Sequence, residues 1–564
     1  MTRSYHCRTA GLLGCIGFLC AYHFFHRFNQ TRTRSWAATQ CMILLLELVI
    51  IRLWYQLSLH PLAKYPGPLL AACTDWYTVY WIASGDRHLE LHRQHKRHGK
   101  YVRYGPSRLS INSAVGSKDL HRANANTFKS SVYGSFKHFF GAEMSLTTVD
   151  HKIHAFRRRV NAIALNHSAI AGFEARVKPH VDFLINTITQ SCLSEESSWS
   201  SPQNMAHVLA YCVADIMGDM TFSQHWNVQR HKKNRHFVHD LPKGVAGIHL
   251  VGHMQWLLRF NLHTIVFKHL IQGVTKLMAL SRQFADTRAK KTNYDDIWAS
   301  LLESKDLETG KCFSHEELVS EASLFIIGGT DGMITALTST LFYLTHNSKA
   351  LVELTREIRK TYSEPPFVDP HERDRVDCPI RFGSRELQNI TYLSACIDEA
   401  MRLSPPVPSI LPRVVGPGGI VVDGQYFPEG IDLGIPHYTL HRSPEHFPQP
   451  LEYKPERWLQ RQEGAKLVAG TGQAVSFTPF GAGRSSCVGK HVAYYEMTYV
   501  LARLLWQFDL RLDPSNCDVG GGTGTECEGR GCKQEFQLSC RFVSQQDGPV
   551  LQFRLRNNTA VGGP

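Results

Sequence analysis

No Cys-x-x-Cys pair occurs anywhere in this chain. Its 15 cysteines are odd in number and scattered, with Cys7, Cys15 and Cys20 in the leader, so they form no disulfide framework. Cys517, Cys527, Cys532 and Cys540 cluster late but lack the close paired spacing of a zinc site. Long basic runs are missing too. Arg157-Arg158-Arg159 and Lys232-Lys233 are short, and no nucleic-acid-binding motif surrounds them, so nucleic acid is not an expected partner. There is no internal repeat. Acidic residues are in deficit, 49 Asp and Glu against 62 Lys and Arg, a formal charge of +13. A solvated basic surface of this kind suits an acidic protein partner or an anionic membrane.

What is present begins with two apolar stretches. Ala10 to Phe25 is short for a bilayer, about 24 Å of helix against a core of about 30 Å. No small-residue cleavage site follows it. Ala37 to Leu59 is long enough, although it carries Glu47 and Arg52. Residues 1–59 therefore read as a membrane anchor, one span or a hairpin. His60 to Pro68 holds three prolines, cannot continue a helix and reads as a stiff linker. Residues 69–564 read as one large body.

Within that body, Tyr101–Pro106 and Leu109–Asn112 suggest a hairpin. Asp119 to Thr361 is mostly helical in pattern with few prolines. Val407 to Tyr438 turns to short strands with an Asp423-Gly424 turn. Phe536 to Arg556 reads as a terminal hairpin turning at Asp547-Gly548-Pro549. Residues 515–532 read as a flexible Gly/Cys-rich surface insert. Arg157 and Arg159 read as part of a solvated basic face.

The chemistry concentrates at Phe480-Gly481-Ala482-Gly483-Arg484-Ser485-Ser486-Cys487-Val488-Gly489. The loop enters a segment with helical apolar spacing, His491 to Phe508, which puts Cys487 near a helix N-terminus. That setting favours a thiolate and is expected to lower the thiol pKa. Gly481, Gly483 and Gly489 are expected to let the backbone approach a flat ligand.

This stretch resembles the haem loop of the cytochrome P-450 family, in which the cysteine thiolate is the fifth ligand of haem iron. The family places an arginine two residues before the cysteine. Here that position is Ser485, and the arginine is Arg484. Glu399 and Arg402 share a helix face. With Arg457 in Lys454-Pro455-Glu456-Arg457-Trp458 they resemble the family's structural Glu/Arg/Arg triad. By the same resemblance His154, Arg158, Arg413 and Arg484 are expected at the haem propionates, where arginine pairs carboxylates well. Phe480, Gly481 and Gly489 are expected against the macrocycle.

Ser314 and Glu317 form a capping box for a long apolar helix with Gly328, Gly329 and Gly332 inside it. Glycine costs up to about 1 kcal/mol in a helix interior, so three need a reason. One is a close helix crossing. The segment also resembles the family's oxygen-binding groove, in which an acid is followed by threonine. Asp331 is the acid, but Gly332 stands where the threonine belongs. Thr335, a water or a substrate hydroxyl is then expected to complete proton delivery.

The resemblance implies a mainly α (α+β) P-450 fold, a large helical domain with a smaller β-rich part behind the anchor. It also implies heme b on Cys487 and the insertion of one oxygen atom from O2 into a small hydrophobic substrate. Electrons would come from NADPH through NADPH-cytochrome P-450 reductase, at the endoplasmic reticulum membrane with the catalytic domain facing the cytosol. The glycine-rich loop and the His-Pro-Leu-Ala linker resemble those of filamentous-fungal enzymes that tailor terpenoids, polyketides or alkaloids. An oxygen-independent haem isomerase or dehydratase, and a non-catalytic haem-binding protein, are the alternatives. Met254, Trp256, Leu257 and Leu258 are expected near the substrate pocket.

Overall fold

Residues 34–195, 199–291, 295–306, 309–363, 378–459, 476–526 and 528–556 are described in the structure, a computed structural model. The apolar stretch Ala10 to Phe25 and Cys527 lie outside them. The helices that position the site are α1 (Arg34–Trp54), α2 (Trp76–Ser84), α3 (Arg87–His98), α4 (His151–Ala164), α5 (Met205–Phe222), α6 (His236–Gly252), α7 (His315–His346), α8 (Thr391–Leu403) and α9 (Lys490–Gln507). Helix α7 runs through the centre, packed on α5, α8 and α9. Its start is fixed by the capping box: Ser314 accepts from the Glu317 N–H, and Glu317 accepts from the Ser314 N–H. Nearly every side chain from Val319 to Leu344 is buried, so α7 is a core helix despite being apolar enough to cross a membrane.

The strands form small sheets. β1 (Tyr101–Gly105) and β2 (Arg108–Ile111) are antiparallel, as the Gly-Pro turn predicts. β2 pairs in parallel with β8 (Asp432–Gly434), which continues to β5 (Arg413–Val415) and β3 (Thr127–Lys129). β6 (Ile420–Val422) and β7 (Gln425–Phe427) form the hairpin expected at Asp423-Gly424, both with positive φ.

The terminal hairpin differs from its sequence reading. β10 (Ser539–Arg541) turns at Phe542 into β11 (Val543–Gln545). β12 (Val550–Leu555) does not fold back on β11. It lies between β4 (Gln203–Asn204) and β9 (Phe508–Leu512). Two short hydrogen-bonded partners sit closer to hand than the turn-spaced alternative, so Asp547–Pro549 serves as a crossover.

The Gly-rich segment is also not a loose insert. Gly522, Thr523 and Gly524 N–H groups donate to Cys532, Arg530 and Gly531 carbonyls. Glu528 pairs with Lys96 at 2.6 Å, and Arg530 pairs with Asp86, which pins the segment onto α3. Its glycines allow close backbone approach: a Cβ on Gly522 would stand 2.5 Å from the Cys532 oxygen. Gly-rich composition here marks tight packing. The described cysteines are all free.

Outside the body, α1 and the following turn of helix expose almost all of their apolar residues, and Thr39–Leu59 is long and apolar enough to cross a membrane.

Candidate functional site

The cysteine loop is held by its own backbone. The Cys487 N–H donates to the Phe480 oxygen at 2.8 Å, and Ser486 N–H to the Gly483 oxygen at 3.1 Å. Gly481 and Gly483 have φ of +70° and +62°. A Cβ on Gly483 would lie 1.7 Å from the His121 oxygen, so this glycine serves loop packing and not approach to a ligand. Gly489 directly precedes α9, and a Cβ there would sit 3.9 Å from the Cys487 sulfur. Phe480 packs against Tyr494 of α9, ring centroids 5.4 Å apart.

Cys487 is surrounded by protein, yet its surface is accessible, so it opens onto an interior space. Burial pushes its thiol pKa up. The Gly489 N–H, Arg158 and Lys490 pull it back without overcoming burial. The lowering expected from the helix N-terminus alone is therefore outweighed: a buried thiol needs a bound cation to become a thiolate.

On one side of the loop lies a cleft of about 410 Å³ lined by Lys129, His151, His154, Arg413 and Arg484, with no acidic residue among the lining. Arg413 Nε has no partner. His154 is pushed down to about 4 by burial, then by Lys129, Arg158, Arg413 and Arg484. Lys129, which donates to the Ser145 oxygen, is lowered to about 7 by burial and by Arg413. So many cations around a neutral histidine is a costly arrangement unless an anion joins them. Two carboxylates of a prosthetic group fit this cleft.

Arg484, although displaced by one position, reaches it and also donates to the Ala125 oxygen at 3.2 Å. Arg158 points elsewhere. It donates to Ser486 O at 2.6 Å and Ser486 Oγ at 3.0 Å, clamping the cysteine loop. Lys129 and His121 went unnoticed in the sequence, because a lone basic residue on a three-residue strand carries no motif.

Arg157 is a correction. It is buried, bonded to Glu317 and 3.6 Å from Glu321, and donates to the Thr148 hydroxyl at 3.2 Å. Burial of Glu321 on α7 requires a cation, which the run Arg157-Arg158-Arg159 supplies inward and not to solvent.

Behind the loop, Glu399 is fully buried. Arg402 donates to it at 2.9 and 3.0 Å, Arg457 at 2.9 Å, Trp458 Nε1 at 2.9 Å and the Lys454 N–H at 2.9 Å. Burial would raise this carboxyl, but Arg402, Arg457 and the Lys454 N–H hold it below the usual range. Arg402 also donates to the His441 oxygen at 2.9 Å, and His441 Nε2 accepts the Thr478 N–H at 3.1 Å. The triad is thus two hydrogen bonds from the cysteine loop.

On α7 the three glycines separate. A Cβ on Gly329 would meet Met217 of α5 at 2.2 Å, so that glycine makes a close helix crossing. Gly328 and Gly332, one turn apart, have open surroundings. The nearest atoms to their Cβ positions are Leu324 at 3.8 Å and Pro406 at 3.7 Å. Asp331 beside them is buried with Oδ2 unpartnered, and burial pushes its carboxyl up to about 7. Thr335 is fully buried and its hydroxyl is engaged by the Asp331 oxygen and Gln546 Oε1, both at 3.0 Å, so it does not stand in for the missing threonine.

Met254, Leu257 and Leu250 pack with Val79 and Ile82 of α2 in a separate small core, and Trp256 is exposed, so this group does not face the glycine groove. His180, Asp219 and His225 bring three ligand atoms within 4.8 Å, but Asp219 already pairs with Arg176 at 3.0 Å, which makes the group an ion-pair network.

A protein-family model described as Cytochrome P450 matches residues 74–519. The chain is 32% identical over 513 residues to cytochrome P450 monooxygenase poxM of Penicillium oxalicum, covering 90% of this chain and 93% of that one. It is 31% identical over 515 residues to cytochrome P450 monooxygenase AKT7 of Alternaria alternata, covering 90% and 94%. It is 26% identical over 474 residues to averantin hydroxylase of Dothistroma septosporum, covering 83% and 84%.

Proposed function

Because this chain belongs to the cytochrome P450 family and is a haem-thiolate monooxygenase, we propose that it oxidises a small hydrophobic secondary metabolite and that Cys487 is its iron ligand. The observation that carries the assignment is the pairing of a buried, inward-opening Cys487 with an acid-free cationic cleft beside the same loop. Heme b on a cysteine thiolate supplies activation of O2 and insertion of one oxygen atom.

The chain's own residues prepare that chemistry. Arg413, Arg484, Lys129 and His154 bind the propionates. Arg158 fixes the cysteine loop through Ser486. Glu399, Arg402 and Arg457 hold the loop's base through His441 and Thr478. Gly328 and Gly332 open α7 on the distal side. Asp331 keeps a proton on Oδ2 near neutral pH, because burial disfavours its charged form. A water beside Gly332 or a hydroxyl of the substrate completes the relay to Asp331.

The substrate is a terpenoid, polyketide or alkaloid, a reading supported by relatives that include an enzyme named for hydroxylating averantin. NADPH-cytochrome P-450 reductase is the electron source, and the net charge of +13 favours its encounter. The exposed α1, with exposed Leu69, Leu70, Tyr80, Phe260 and Ile265 near the same end, supports attachment to the endoplasmic reticulum membrane with the body in the cytosol. Membranes carrying the chain, with NADPH, reductase and isotope-labelled O2, are expected to convert a metabolite that accumulates in a host lacking the gene. Product without label contradicts the reading.

A further inference from the structure

The mechanism above makes no use of Arg87, the first residue of α3, although it is the most conspicuous unneutralised charge outside the cysteine side. It is only 2% exposed. Its Nη1 lies 3.4 Å from His249 Nε2 and 3.5 Å from His253 Nε2, both on or just after α6. Its Nε and Nη2 have no partner, and no carboxylate pairs with it among the described residues. Arg108 nearby shows the contrast: it has Asp75 at 3.3 Å and Asp432 at 3.5 Å. The histidines add no negative charge. Burial, then Arg87 and Arg108, hold both well below the usual range, and they remain neutral.

Arg87 lines a cleft of about 270 Å³ together with Tyr104, Tyr77, Trp81, Leu91 and Val102. The Tyr104 ring lies 5.5 Å from the guanidinium, and its buried hydroxyl also lacks a partner. Glu90 lines the cleft as well, but Tyr77, Gln94 (2.7 Å) and Arg93 (3.2 Å) occupy its oxygens. The walls are therefore largely apolar, with unused donors on one side.

This cleft is one hairpin away from the glycine groove of α7. Cys540 N–H on β10 donates to the Gly85 oxygen at 2.7 Å, two residues before Arg87. His249 stacks on Phe542 at the tip of the hairpin, centroids 5.2 Å apart. Ser544 N–H on β11 donates to the Pro406 oxygen at 2.8 Å, and Pro406 is the nearest neighbour of the Gly332 Cβ position.

We propose that Arg87 and Tyr104, backed by His249 and His253, form a carboxylate subsite that holds the acidic end of an otherwise apolar substrate. The word substrate rests on the monooxygenase reading; the anion site does not. A buried guanidinium with two free donors is costly alone and is stabilised by a carboxylate, which accepts both in a fork geometry. The apolar walls exclude a small hydrated anion and suit an alkyl or ring acid.

The test uses the haem-loaded full chain in detergent, with dodecanoate and its methyl ester as probes and calorimetry as the readout. Wild type is expected to bind the acid at least about tenfold tighter than the ester, the scale of a hydrogen bond to a charged group. Arg87→Met is expected to bind the two alike at the ester's affinity, and Arg87→Lys to restore part of the preference. Equal binding of acid and ester by wild type, including no binding of either, overturns the proposal without any variant. A preference kept in Arg87→Met overturns it too. An anionic phospholipid that blocks dodecanoate and shows the same Arg87 dependence assigns the site to lipid and overturns the substrate reading. The reduced CO spectrum of the same samples reports thiolate ligation separately, so failure of that assignment is not confused with failure of this one.

Discussion

Asp331 and Glu496 are buried carboxyls whose pKa values are governed by desolvation. Glu496 has neither oxygen bonded and is raised to about 8 by burial, against Asp331 at about 7. The folded chain therefore holds a proton that the unfolded chain releases near pH ~4. Stability contributed by Glu496 is full below that pH, falls as pH rises toward about 8, and levels off above it. Glu496→Gln is expected to melt a few degrees above wild type at high pH and equally at low pH, measured by thermal scans across pH. Asp331→Asn, which removes the proton donor, is expected to lower turnover by about 10²-fold or more, with reductant consumed beyond product formed. Gly332→Thr fits, because only Pro406 Cβ at 3.7 Å meets the new Cβ. It is expected to retain haem and change coupling; unchanged coupling would show that Gly332 does not shape proton delivery. Cys487, Glu399 and Asp331 were legible in the sequence because each sits in a spaced motif. Lys129, Arg87 and the inward turn of Arg157 were not, since the feature that matters is a partner distant in the chain, or the lack of one.

At the scale of elements, α7 and α8 carry the sharpest expectations. Gly328→Ala adds a Cβ in open space and is expected to stabilise α7 by about 0.5–1 kcal/mol. Gly329→Ala drives a Cβ into Met217 and is expected to cost about 1–3 kcal/mol, read from chemical denaturation. Opposite signs at adjacent glycines would separate groove from crossing. Removing Arg402 strands Glu399 in a site with 0% exposure, at a cost of about 3–5 kcal/mol. Arg402→Ala is expected to yield little haem-loaded protein, measured as haem per chain. Helices were readable where one apolar period runs for many turns, as in α7. The end of the chain was not: β12 chose β4 and β9, partners hundreds of residues and a few residues away respectively from where turn chemistry pointed. Glycine density misled in the same way at 515–532, where missing Cβ atoms permit backbone contact.

For the whole molecule, a buried cysteine loop, an acid-free cleft and a glycine-opened helix are assembled from segments spread between Thr127 and Gly489. Their order made the family legible from sequence, while the cleft's excess of positive charge became visible only when β3, α4, β5 and the loop were brought together. The central claim is that Cys487 holds haem as a thiolate. The most direct measurement is the reduced CO spectrum of haem-loaded wild type beside Cys487→Ser. Wild type is predicted to show the long-wavelength Soret band of thiolate-ligated haem, and Cys487→Ser to lose it. A band that survives in Cys487→Ser, or that haem-loaded wild type lacks, would contradict the account.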